Sequence, residues 1–110
     1  MTEQTLRQIA EQKRGGHADE IETSRMLALR PDLVQMDRAV QEFTAPVPGA
    51  FGPTGIKKIH VGGKIRNDHG VNGNATLATA EKGEQSLSAM AEDIIGEIKL
   101  VVLSPIRYTP

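Results

Sequence analysis

The sequence predicts an α/β domain rich in helix and poor in strand, and three observations carry that reading. Leu87, Met90, Ala91, Ile94, Ile95 and Ile98 fall at helical spacing and form one apolar stripe. Asp19 and Glu22 stand three apart ahead of an apolar run, as in a helix-opening capping box, and Arg30-Pro31 closes that run. A single segment, Ile56 to Val61, reads as a strand, with Ile59 and Val61 flanking His60. A lone strand leaves its backbone groups unpaired, so residues 1–110 read as a single partial domain, a portion of a larger α/β layer structure.

The elements follow in order. Over residues 2–13, Leu6, Ile9 and Ala10 share one face among polar residues, which predicts a short amphipathic helix stopped by Gly15-Gly16. The second helix starts at about Asp19 and ends at Arg30, because a residue before proline is biased out of the helical region. Pro31 suits the first turn of a short following helix through Met36. Residues 44–55 are rich in proline and glycine and read as loop. Residues 62–75 read as a second loop, with Gly62-Gly63, Asn67-Asp68 and Asn72-Gly73-Asn74 as turn formers. A long helix then runs from about Thr76 to Lys99, despite Gly83 and Gly96, each costing about 1 kcal/mol against alanine. Its stripe is expected to face a core, and to lose part of its partner surface and drive association where the rest of the layer structure is absent.

Composition narrows the function. Aromatic residues make up only 3% of the chain, so the core rests on Leu, Ile, Val, Ala and Met and should be thin. The 13 basic residues are balanced by 14 acidic ones, and the basic doublets Lys13-Arg14 and Lys57-Lys58 make no nucleic-acid patch. Cysteine is absent, which removes disulfides, thiolate nucleophiles and zinc-finger sites together. Residues 1–14 have no apolar segment of the signal-peptide kind, and no apolar run approaches the roughly 20 residues of a membrane span. A cytoplasmic protein acting on a small molecule is the expectation.

The run from His17 to Glu22 is the chemically dense part of the chain. It sets one imidazole and three carboxylates, Asp19, Glu20 and Glu22, at a helix start, where unpaired N–H groups and the positive dipole end favour anions. Histidine ordinarily titrates near neutrality and suits proton transfer. The other imidazoles, His60 and His69, do not pair with it or with each other at the helical spacing of a metal site.

Two blocks of sequence are similar to the creatininase (creatinine amidohydrolase) family. The first is His17-Ala18-Asp19-Glu20-Ile21-Glu22-Thr23-Ser24 with Met26-Leu27-Ala28-Leu29-Arg30-Pro31-Asp32-Leu33-Val34 behind it. It resembles a His-Ala-Gly-Glu-x-Glu-Thr-Ser run leading into a helix that ends in Leu-Arg-Pro-Asp-Leu-Val. The second is Gly70-Val71-Asn72-Gly73-Asn74-Ala75-Thr76-Leu77-Ala78-Thr79-Ala80-Glu81-Lys82-Gly83, which resembles the stretch that opens the family's long C-terminal helix. The resemblance implies a three-layer α/β/α sandwich. It also implies a hydrolase of amide bonds, such as that of creatinine, with two divalent metal ions, zinc or manganese, in an oligomeric assembly. In that frame His17 is the proton shuttle and Glu22 its orienter or a metal-proximal carboxylate, with Glu20 and Asp19 as possible supporting groups.

The chain departs from the family pattern in two respects. Asp19 stands where the motif has glycine, placing a Cβ where the backbone is expected to need freedom. The family's metal ligands lie in its N-terminal half, in a Glu-x-His-Leu-Pro run, a following aspartate and an Asn-Gly-His-x-x-Asn block, and none of these occurs here. The chain therefore resembles the family's C-terminal portion, with no metal ligands assigned within it. Its expected partners are a small amide substrate and either further copies of itself or a complementary N-terminal half. The alternative is a non-catalytic remnant or oligomerisation module of the same family.

Overall fold

In the computed structural model, residues 1–43 and 68–105 are described. The predicted strand Ile56 to Val61, the loop 44–55, His60 and Gly62-Gly63 lie outside them. Three α-helices dominate: α1 (Thr2–Ile9), α2 (Glu20–Leu29) and α3 (Ala80–Leu103). Two strands of two residues each, β1 (Gln41–Glu42) and β2 (Gly73–Asn74), pair antiparallel with Gln41 opposite Asn74 and Glu42 opposite Gly73. The arrangement is helix-rich with few strands, as the sequence predicts.

Helix α1 ends four residues earlier than the sequence suggests. Ala10 is already extended, and the backbone N–H groups of Glu11 and Gln12 donate to the Glu20 carboxylate instead of to carbonyls one turn back. A distant side chain thus unwinds the predicted last turn. Beyond α2, the expected short helix is two 3₁₀ turns, Pro31–Leu33 and Met36–Arg38. The stretch 62–75, read as loop, holds β2 within its described part and leads into a 3₁₀ turn, Ala75–Leu77, before α3 begins behind the N-cap Thr79. A two-residue strand leaves no periodic trace; its pairing with β1 and the bond from Ala75 N–H to Val40 O (3.1 Å) are what form it.

Helix α2 packs on α3 through small residues. Ser24 and Ser86 are fully buried and Ala89 nearly so. A Cβ on Gly83 would fall inside the Ser24 carbonyl group, so this glycine permits a backbone approach that alanine forbids. The helical penalty of Gly83 is thereby offset by helix contact. Ser24 Oγ donates to Glu20 O (2.5 Å) and accepts from Thr79 N–H (3.1 Å), so the middle of α2 also caps the entry to α3. Arg25 Nε donates to Ser86 Oγ at 2.8 Å. Helix α1 lies against α3, where Asp93 accepts from Thr2 N–H (2.9 Å) and Thr2 Oγ1 (2.5 Å); these bonds hold the Asp93 carboxyl below its ordinary range.

The apolar stripe of α3 is covered only in part. Leu87 and Met90 are half-buried, while Ile94, Ile95 and Ile98 are 57%, 50% and 56% exposed, and the end of the helix, Leu100 to Leu103, is more exposed still. Contact with α2 uses Gly83 and Ser86, which carry little hydrophobic signal. Periodicity identified the helix but not which edge these neighbours cover. Among the described residues the buried apolar set is small: Ile21, Val71, Ala75, Ala78 and Ala89. It is thin, as the low aromatic content implies.

Candidate functional site

The site is built where the first turn of α2 meets the strand segment 72–74. Asp19 is the N-cap of α2: its Oδ1 accepts from the N–H groups of Ile21 and Glu22, both at 3.0 Å. The Glu20 N–H goes to Gln12 Oε1 (3.3 Å), and Thr23 N–H goes to Asp19 O (3.0 Å). The orphan donors of this helix start are therefore consumed by the protein's own groups.

Glu22 closes the box one residue away from the usual place. Its Oε2 accepts from the N–H of Ala18 (2.5 Å), not from that of Asp19. The displacement follows from the backbone: Ala18 has φ +46°, a left-handed conformation costing about 1–2 kcal/mol for a residue with a Cβ. Asp19, where the family motif has glycine, has an ordinary φ of −88°. The freedom expected to be needed at Asp19 is needed at Ala18 instead, and aspartate suits its own position as a cap.

His17 is fixed by its backbone and open at its side chain. Asn72 N–H donates to His17 O at 2.8 Å, while Asn72 O accepts from Gly16 N–H (2.9 Å) and His17 N–H (3.3 Å), an isolated antiparallel bridge. The imidazole is 73% exposed, and its Nδ1 lies 4.0 Å from Glu22 Oε2. That separation exceeds hydrogen-bond reach, so Glu22 stands beside the ring without bonding to it.

Glu20 is placed differently. Its side chain is wholly buried. Oε2 accepts from the N–H groups of Glu11 (3.0 Å) and Gln12 (2.8 Å), and Oε1 from Lys82 Nζ (2.7 Å). Lys82 also donates to Leu77 O (2.9 Å) and to the Glu11 carboxylate. Burial lowers the Lys82 pKa, but the hydrogen bonds and charges of Glu11 and Glu20 outweigh it and hold the ammonium above its ordinary value. Glu20 is thus a clamp between α2, α3 and the segment that follows α1, and only His17 and Glu22 of the four sequence candidates present side chains at the surface.

Two residues missed by sequence reasoning organise this region. Lys82 lies in the second sequence block, so its link to Glu20 joins the two blocks directly. Gln12 lies upstream of both, with no motif to mark it. At the far end of β1, Glu42 accepts from Asp68 N–H (2.8 Å) and His69 N–H (3.2 Å) and lies 2.8 Å from His69 Nδ1. These contacts, the Asp68 N–H first and then the His69 ring, hold the Glu42 carboxyl below its ordinary range.

A family model for Creatininase, creatinine amidohydrolase, matches residues 1–98. The chain belongs to the creatininase family. A 3-dehydro-scyllo-inosose hydrolase of Thermotoga maritima is 37% identical over 93 residues, covering 69% of this chain and 29% of that protein. A crystal structure from Bacteroides fragilis, assigned as a creatinine amidohydrolase, superposes with a TM-score of 0.71 at 27% identity, over 94% of this chain and 41% of its own. The chain thus spans less than half the length of either relative. The helices and short strands described above match part of a creatininase-like α/β fold. Among the described residues, no group of three His, Cys, Asp or Glu side chains converges on a point where a metal ion would sit, and no helix is long and apolar enough to cross a membrane.

Proposed function

We propose that this chain supplies the proton-transfer wall of a creatininase-family amidohydrolase that cleaves a cyclic or linear amide such as creatinine. The observation that supports it is the contrast within one run: Asp19 and Glu20 are spent on the fold, while the imidazole of His17 stands out from a pinned backbone beside Glu22. In this reading His17 accepts the proton released as water oxygen bonds to the amide carbon. It returns that proton to the leaving nitrogen as the C–N bond breaks. Glu22 is the carboxylate that stands beside that ring.

The two divalent ions implied by family resemblance, zinc or manganese, do not fit the described residues. Two carboxylates of the run are already saturated by N–H and ammonium donors, and no third ligand meets His17 and Glu22. We assign those ligands to another segment of polypeptide, a complementary N-terminal half that also covers the exposed end of α3. The reading is of a cytoplasmic, oligomeric enzyme acting on a small molecule, with neither nucleic acid nor membrane as partner.

Mixing the chain with a polypeptide carrying the family's N-terminal half, with zinc or manganese and a panel of cyclic amides, is the test. The expected result is hydrolysis that His17→Ala removes and Glu22→Gln weakens. Stoichiometric metal binding and turnover by the 110 residues alone would overturn the divided arrangement. The bare apolar end of α3 favours a second reading, a non-catalytic assembly module. A stable oligomer without metal, indifferent to His17→Ala, would establish it.

A further inference from the structure

We infer that Gln12 is the positioning residue that holds the seat of His17, an assignment whose catalytic meaning rests on the hydrolase reading above. Its side-chain amide reaches three backbone or side-chain groups that the chain must bring together. Oε1 accepts from the N–H of Asn74 (3.0 Å) in β2 and from the N–H of Glu20 (3.3 Å) in the first turn of α2. Nε2 donates to Asp19 Oδ2 (2.9 Å), the N-cap carboxylate. Its own N–H donates to the Glu20 carboxylate (2.8 Å).

The consequence is geometric. His17 lies two residues before the N-cap and is bridged to Asn72, two residues before Asn74. The α2 cap and the 72–74 strand are the two walls of its seat, and Gln12 joins them with one planar amide. On the strand side the fit is tight: a Cβ on Gly73 (φ +143°) would lie 2.5 Å from Asp19 Cβ and 2.6 Å from Gln12 Oε1. The chemistry is specific to an amide. Two N–H donors face one end and a carboxylate faces the other, so an acceptor and a donor are needed on the same side chain. Glutamate has the right shape and keeps the acceptor, but it opposes Asp19 with a second negative charge.

The test is amide hydrogen exchange on the full chain, comparing Gln12 with Gln12→Glu and Gln12→Met. In Gln12→Glu near neutral pH, the Asn72 N–H that bonds His17 O is expected to exchange about tenfold faster or more, for the loss of one charge-assisted hydrogen bond. The Ser86 and Ala89 amides in α3 should change far less. As the pH falls and the introduced carboxyl takes up a proton, it regains a donor towards Asp19, and protection at Asn72 should return. Gln12→Met, which also removes the acceptor of the Asn74 and Glu20 N–H groups, should show at least that loss with no recovery at low pH. Equal acceleration at Asn72 and in α3 would make Gln12 a general stabiliser, and unchanged Asn72 exchange would make the bonds inconsequential; either result overturns the assignment. Neither depends on turnover, so failure of the hydrolase reading would show separately, as His17-independent or absent hydrolysis in the complemented enzyme.

Discussion

Replacing Lys82 with methionine removes the cation from the buried carboxylate of Glu20 while roughly preserving side-chain length. In the native arrangement that carboxylate is fully buried, with Lys82 itself only 15% exposed. Deleting one partner of such a pair costs about 3–5 kcal/mol, because the remaining charge stays out of water. Glu20 keeps the N–H groups of Glu11 and Gln12, which places the loss at the lower end, about 3 kcal/mol. With a urea slope of about 1.5 kcal/mol/M for a chain of this size, the unfolding midpoint should fall by about 2 M. Lys82→Met with Glu20→Gln should recover part of that loss, since the neutral amide no longer demands a counter-charge. A fall of less than about 0.5 M, with no recovery in the double variant, would refute the clamp. Alkaline titration supplies a second readout. The Lys82 pKa is raised in the folded chain, so its contribution is complete below the ordinary lysine value, about 10.4, and is lost as pH rises through the higher folded value. Lys82→Met should lack that alkaline loss.

Two further perturbations separate glycines and carboxylates by environment. Gly83→Ala should destabilise by about 2–3 kcal/mol, because its methyl group meets the Ser24 backbone, which moves only with α2 itself. Gly96→Ala, on the same helix with nothing within 4 Å of its Cβ, should stabilise by about 0.5–1 kcal/mol, and thermal melts of the two variants should shift in opposite directions. The Glu42 pKa is lowered in the folded chain, so its hold on residues 68–69 is complete above the ordinary carboxyl range and is lost as pH falls through the lower folded value. Exchange of the Asp68 and His69 amides should accelerate in that acidic window, and in Glu42→Gln at every pH.

Much of this molecule was readable one residue at a time. The capping position of Asp19, the stop at Arg30-Pro31 and the existence of the long C-terminal helix are local matters of caps, proline sterics and 3.6-residue periodicity; the first two appear where the sequence places them, while the helix, expected over about Thr76 to Lys99, runs from Ala80 to Leu103 because Thr79 caps it behind a 3₁₀ turn. The family signature was also legible, because it consists of contiguous motifs. Features that arise between segments were not. No periodicity distinguishes Glu20, a buried clamp, from Glu22, a surface carboxylate two residues later, and the two-residue strands exist only because Gln41 and Glu42 find Asn74 and Gly73.

The sequence by itself determined the family, the helices and the identity of the run from His17 to Glu22. Tertiary structure alone decided what that run does. Closing α2 on α3 through Gly83 puts Lys82 beside Glu20, and desolvation then commits Glu20 to the fold. Pairing with Asn72 holds the His17 backbone and leaves its ring facing water. The apolar stripe gave the helix its existence but not its contact edge, because an apolar residue is indifferent to which partner removes it from water, whereas a glycine opposite a backbone carbonyl tolerates only one approach.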